Sequence, residues 1–288
     1  MVRLIAIDMD GTILSPDQTI STKNKETILE AQSNGIEVVI ATGRSYAEAL
    51  FPISDAGLTV PFILLNGAEV RNEDGDLLSA TYLTESDVKK VIPILEKESI
   101  DYQLFVGKTV YTKSIEDQID TFIQLAVAAN QVPPVDEIRE EVMNRVEKGF
   151  VQEVPSLRQI VNQHGEEIYK IFGTSFNKVH LDNAREKLKL LPGLAVSSSG
   201  AGNLEITNIN AQKGIALEQY AKMKGISMDE VMAIGDNYND LSMLKIAGHS
   251  VAMGNAPAEI QEACKTVTTT NEFDGVATAI ESALRLKI

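Results

Sequence analysis

The chain has 288 residues, 44% of them hydrophobic, a formal net charge of −15 and one cysteine, Cys264. That length accommodates two domains and a substantial core, the acidic balance argues against a nucleic-acid partner, and a lone cysteine excludes an internal disulfide, in keeping with a reducing cytoplasm. No apolar run approaches the roughly 20 residues of a membrane-spanning helix, and Asp8 and Asp10 break the first hydrophobic stretch too early for a secretion signal.

In chain order, an apolar strand over 3 to 8 runs into Asp8-Met9-Asp10-Gly11-Thr12. Side chains two apart on a strand share a face, so Asp8 and Asp10 converge on one small volume, with Gly11 letting the backbone turn behind them. Two close carboxylates either share a proton or bind a hard cation, although Asp and Gly are also ordinary turn residues. A helix is predicted near 22 to 34, then a strand over 37 to 41 that ends in Thr42-Gly43-Arg44, a hydroxyl and a glycine suited to an anion. A helix from about 45 to 56 and a strand over 62 to 65 follow, leading to Asn66-Gly67, which either lines a crevice or forms a plain turn. Strands spaced by helices imply parallel pairing with right-handed crossovers.

From Thr84 to about Leu191 the pattern changes. Tyr102–Val106 and Thr109–Thr112 flank Gly107-Lys108 as a hairpin, then come a helical stretch over 115 to 129, a Pro133-Pro134 break, a strand over 167 to 174 and a charged helix over 178 to 191. Mixed hairpins and helices suggest an antiparallel sheet backed by helices. The expected organisation is an α/β, Rossmann-like parallel-sheet core over 1–83 and 192–288, with an α+β domain inserted over 84–191. After Pro192, a strand-like Leu204–Thr207 precedes Lys213 at the head of a helix, and the strand Val231–Gly235 runs into Asp236-Asn237-Tyr238-Asn239-Asp240. Ligands of open parallel sheets bind beyond the carboxyl ends of the strands, so four exits carrying Asp/Asp, Thr, Lys and Asp/Asp would assemble one site.

With these four motifs in this order, the chain resembles the haloacid dehalogenase (HAD) superfamily, specifically its Cof-type phosphatases with a large C2-type cap. The resemblance covers Asp8 to Asp240. Two departures are Met9 where the family commonly has leucine, and Asn208-Ile209-Asn210-Ala211-Gln212 in place of a glycine- and serine-containing lead to the lysine. The resemblance implies a Mg2+-dependent phosphohydrolase acting on small phosphate esters, foremost sugar phosphates. Asp8 would be the nucleophile and Asp10 the general acid and base; Asp8, the Asp10 carbonyl and Asp236 would hold magnesium. Met9, Thr42, Gly43, Arg44, Lys213 and Asn239 would contact phosphate or substrate, with Thr12, Asn66 and Asp240 in support; the Met9 side chain should point away from the carboxylates, and an arginine at a helix start, as Arg44 is, more often pairs with an acid. Asp240 reads equally as a helix N-terminal acid. Glu205, on a strand near the lysine, either organises the site or faces solvent, and Lys148, Arg145 and Tyr169 are conceivable substrate contacts. His164, His180 and His249 lack metal-ligand spacing. Substrate selection would fall to the cap; the alternatives are a sugar phosphomutase and a non-catalytic phosphometabolite sensor. The first needs a cluster of Arg or Lys in the cap, which is not present; the second implies loss of Asp8 or Asp10, and both remain.

Overall fold

A computed structural model of the protein describes residues 1–128, 135–165, 167–198 and 202–285, so the expected Pro133-Pro134 break lies outside the described residues. Two compact units emerge, one formed by 1–80 with 211–288 and the other by 81–210.

In chain order the strands are β1 (Leu4–Ile7), β2 (Glu37–Ala41), β3 (Phe62–Leu64), β4 (Glu69–Arg71), β5 (Leu77–Ala80), β6 (Asp101–Val106), β7 (Thr109–Thr112), β8 (Val151–Glu153), β9 (Ile168–Thr174), β10 (Leu194–Ser197), β11 (Asn203–Asn208), β12 (Val231–Gly235), β13 (His249–Ala252) and β14 (Thr266–Val267). The helices are α1 (Thr22–Ser33), α2 (Tyr46–Asp55), α3 (Glu85–Lys97), α4 (Ile115–Ala128), α5 (Val135–Glu147), α6 (Leu157–His164), α7 (Lys178–Lys189), α8 (Lys213–Met223), α9 (Leu241–Ile246), α10 (Ala258–Ala263) and α11 (Gly275–Arg285).

The first unit carries a sheet in the order β14-β13-β12-β1-β2-β3-β4-β5. From β14 to β3 every pairing is parallel. The strands β1 (Leu-Ile-Ala-Ile) and β12 (Val-Met-Ala-Ile-Gly) are buried at every residue, the continuous apolar run expected of parallel strands covered on both faces. Side chains fix where the neighbouring helices begin: the Ser21 hydroxyl accepts the Asn24 N–H ahead of α1, and Ser45 with Glu48 forms a capping box ahead of α2. The parallel core is extended at one edge by β4 and β5, strands not read from the sequence, and there β3, β4 and β5 pair antiparallel. The short connections between them leave no room for a crossover helix.

The second unit has a six-stranded sheet in the order β10-β11-β9-β6-β7-β8, antiparallel except for β7 with β8. One sheet face packs Leu104, Ile171, Leu204 and Ile206 against Val88, Val91 and Leu95 of α3, Leu157 and Ile160 of α6, and Leu181 and Leu188 of α7. Alternate residues put Gln103, Lys170, Glu205 and Thr207 on the opposite face.

The expected second boundary, 191/192, is therefore corrected: β11 pairs with β9 and β10 with β11 in this sheet, and the unit extends to Asn210. The segment shows Leu204 and Ile206 alternating with Glu205 and Thr207, the period of a half-buried antiparallel strand and not the unbroken run of the parallel core.

Candidate active site

Parallel register aligns the strand exits of the first unit. Ile7 of β1 pairs with Ile234 of β12 on one side and Ile40 of β2 on the other, so Asp8, Asp236 and Thr42 leave adjacent strands at the same edge. The Asp8 N–H donates to the Ile234 carbonyl (3.0 Å) and the Thr42 N–H to that of Ile63 (2.8 Å), which holds both residues in the last rung of the sheet.

Lys213 arrives differently. It is not at the exit of a strand of this sheet, as expected, but at the first turn of α8, directly after the chain leaves the second unit. Its ammonium is fully buried and donates to Asp8 Oδ1 (2.5 Å) and Asp240 Oδ1 (2.6 Å). The other Asp240 oxygen accepts the N–H groups of Asp236 and Asn237, each at 3.0 Å. Asp240 is thus both a turn-closing acid and a partner of the lysine, so the two readings open from sequence hold together.

Thr12 donates to Asp236 Oδ1 (3.1 Å). Gly11 makes this approach feasible: its φ is +75°, and a Cβ there would lie 2.5 Å from Asp236 Oδ2.

Three carboxylates face one ammonium, and the titration of the group reflects that imbalance. Burial, reinforced by Asp240 and opposed by Lys213, raises the Asp8 carboxyl well above its ordinary value. Burial and Asp240 push Asp236 up to about 7 against the Thr12 hydrogen bond. Burial alone would lower the Lys213 ammonium, but the charges of Asp240 and Asp8 outweigh it and raise it.

Asp8, Asp236 and Asp240 each bring one carboxylate oxygen within 4.8 Å of the others. An all-oxygen, over-acidic pocket is the donor chemistry of a hard divalent cation, so the residues present fit such an ion. Asp240, already committed through both oxygens, serves the cluster by holding Lys213.

The side chains of Asp10, Arg44 and Met9 are engaged outside the acid cluster. Asp10 has a half-exposed side chain turned onto Arg44, whose Nε and Nη2 reach its two oxygens at 2.9 and 2.5 Å, and the same guanidinium donates to Gln18 (2.6 Å). Arg44 therefore forks the second aspartate in this structure, the pairing with an acid that the sequence left open. The Met9 side chain is fully buried in the core, which leaves only its backbone for any binding role.

Thr42 is buried and its hydroxyl accepts the Arg44 N–H (3.1 Å); Gly43 connects the two. Asn239 donates to Asn66 Oδ1 (3.3 Å), joining two strand exits.

Glu205 sits in the second unit's sheet, paired with Lys170 at 3.6 Å. Tyr169 packs on Tyr82, ring centroids 4.5 Å apart, and His164 lies beside Glu167 on the surface. Sequence reasoning missed Asn255, whose amide donates to the Gly11 carbonyl (2.8 Å), and Gln18; partners so remote in the chain or on an irregular loop leave no periodic signal.

A family model for haloacid dehalogenase-like hydrolases matches residues 5–280. The chain belongs to that family. Phosphatase YwpJ of Bacillus subtilis is 31% identical to this hydrolase over 96% of the chain and 98% of its own length. The 5-amino-6-(5-phospho-D-ribitylamino)uracil phosphatase YwtE of the same organism is 32% identical over 98% of both. A solved structure of a haloacid dehalogenase-like hydrolase from B. subtilis covers 97% of the chain and 99% of its own, with 30% identity and a TM-score of 0.88. Among the described residues, no helix of the hydrolase is long and apolar enough to cross a membrane.

Proposed function

We propose that this hydrolase is a magnesium-dependent phosphatase of small phosphorylated metabolites, sugar phosphates foremost, working through an aspartyl-phosphate on Asp8. The observation that carries the reading is the buried Asp8–Lys213–Asp240 chain with Asp236 beside it, at the exits of the central parallel strands. A nucleophilic carboxylate must be dehydrated yet kept ionised, and Lys213 supplies the compensating charge where water is excluded.

In the first step an Asp8 oxygen attacks phosphorus, the bond to the ester oxygen breaks, and Asp10 gives its proton to the departing alkoxide. In the second, water attacks the aspartyl-phosphate, its proton passes to Asp10, and inorganic phosphate leaves with Asp8 restored. Asp10 must leave the Arg44 fork to reach the ester oxygen, since the guanidinium engages both of its oxygens. Lys213, the Thr42 hydroxyl and the Gly43 N–H would offset charge on the transferring group's equatorial oxygens, and Asn239 would steady the same oxygens. Magnesium, held by the Asp8 and Asp236 carboxylates with the Asp10 carbonyl, would supply further neutralisation of the phosphoryl oxygens.

The relative named for 5-amino-6-(5-phospho-D-ribitylamino)uracil adds that compound to the first candidates. The test is phosphate release from a panel of sugar phosphates, this compound, pyridoxal and flavin phosphates and nucleotides, with magnesium or chelator. Wild type should release phosphate only with the metal, and Asp8→Asn should lose at least about a thousandfold in kcat. Release from no compound, or equal release by Asp8→Asn, would overturn the proposal.

A further inference from the structure

Two consecutive non-glycine residues at the edge of the site hold left-handed backbone conformations: Leu65 with φ of 49° and Asn66 with φ of 60°. Asn tolerates this region; leucine does so only where its surroundings impose it. Here the surroundings are explicit. The Leu65 N–H donates to the Arg44 carbonyl (3.1 Å) and the Asn66 N–H to the Thr42 carbonyl (3.0 Å), so the corner grips the loop after β2 at two points.

On its other side the corner meets α8. Gly67, with φ of 101°, lies so near the residue before Lys213 that a Cβ on it would stand 2.5 Å from the Gln212 carbonyl oxygen. The Asn66 side chain, 4% exposed, accepts from Asn239, whose neighbour Asp240 holds Lys213 at 2.6 Å. One corner thus touches the Thr42 loop, the start of the lysine helix and the acidic loop after β12.

We infer that Asn66 is a positioning residue, whose left-handed backbone and carboxamide together set the spacing between Thr42, Lys213 and Asn239 without touching the substrate. The inference rests on the phosphatase reading for its kinetic consequences, though not for its geometry. An L-residue with a plain Cβ strains the left-handed region, whereas glycine enters it freely. Asn66→Gly therefore removes the side chain, with its tether to Asn239, and leaves the corner unstrained, whereas Asn66→Ala removes the tether and strains the corner as well. A displacement near 1 Å in groups surrounding the reacting centre costs about a hundredfold in rate.

The experiment compares wild type, Asn66→Gly and Asn66→Ala by steady-state kinetics on the best substrate of the panel and by crystal structures of both variants. The expected result is kcat lowered about tenfold in Asn66→Gly and about a hundredfold in Asn66→Ala, with KM within about threefold of wild type. In the crystals, Thr42 and Gln212 should keep their separation in Asn66→Gly and shift in Asn66→Ala. Equal kinetics for the two variants, or a loss carried by KM alone, would overturn the inference, the latter by making Asn66 a substrate contact. Should Asn66→Ala fail to fold, Asn66→Gly decides: kcat lowered about tenfold at constant KM supports the inference, and kcat within about twofold of wild type rejects it. If wild type hydrolyses nothing, the functional reading fails, and the crystal structures alone test the corner.

Discussion

Each unit buries a lysine, and the two are held in opposite ways. Lys213 in the first unit is fully buried against two carboxylates at 2.5 and 2.6 Å, with the third acid, Asp236, beside them. Lys170 in the second unit, 3% exposed, faces Glu205 at 3.6 Å and lies over the rings of Phe105 and Phe172, at 4.7 and 5.5 Å from their centroids. The second arrangement sets a carboxylate beside the ammonium and adds aromatic faces that favour a cation. In the first, the acids exceed the lysine, and the excess can be relieved only by protons or by another cation. A buried lysine is thus no marker of function by itself; the surplus of carboxylates around it is.

The strongest challenge to this contrast is Lys213→Met. It leaves Asp8, Asp236 and Asp240 with no buried partner cation, and we expect a loss of about 3–5 kcal/mol in folding stability, read by denaturant unfolding without metal, together with loss of turnover. A loss below about 1 kcal/mol would mean that Lys213 is not what compensates these acids in the metal-free protein.

Magnesium should act next in size. Asp8 is raised well above its ordinary value and Asp236 up to about 7, so the folded metal-free protein keeps protons that the unfolded chain has released. Folding then takes up protons, and this part of the stability, complete below the unfolded value of about 4, falls as the pH rises toward the folded values. A cation replaces those protons, so the melting temperature gained on adding magnesium should grow from pH 5 to pH 7.5. At a hundredfold excess over Kd the gain corresponds to about 3 kcal/mol. A gain that shrinks with rising pH would contradict the placement of the metal on these acids.

The smallest effect is expected in the second unit. Replacing both members of its buried ion pair, as Lys170→Met with Glu205→Leu, should leave stability within about 1 kcal/mol of wild type or slightly above it, measured by the same unfolding experiment. A loss as large as that of Lys213→Met would erase the distinction between the two lysines.

Much of the site was legible because its residues sit at strand exits, where an apolar run ending in Asp, Thr or Asp-Asn is a local signal. The helices near 22 to 34 and 45 to 56 and the hairpin around Gly107-Lys108 were also expected, and each is fixed locally, by the Ser21 and Ser45 caps and by the turn pair. What failed involved partners distant in the chain. Leu204–Thr207 looks like a strand in either unit, and only its pairing with β9 assigns it to the second. Arg44 carries the same guanidinium whether it awaits an anion or forks Asp10, and the choice depends on a carboxylate 34 positions away.

The sequence by itself determined the chemistry on offer: acids, a hydroxyl and a lysine in family order, on elements whose periodicity sets their kind. Only the tertiary structure decided how those charges are shared. Lys213 binds Asp240 as well as Asp8, Arg44 takes Asp10, and a left-handed corner at Leu65–Asn66 ties the loops together. Charge balance in a buried site depends on distances of a few ångströms between segments far apart in the chain, and local propensity carries no information about those distances.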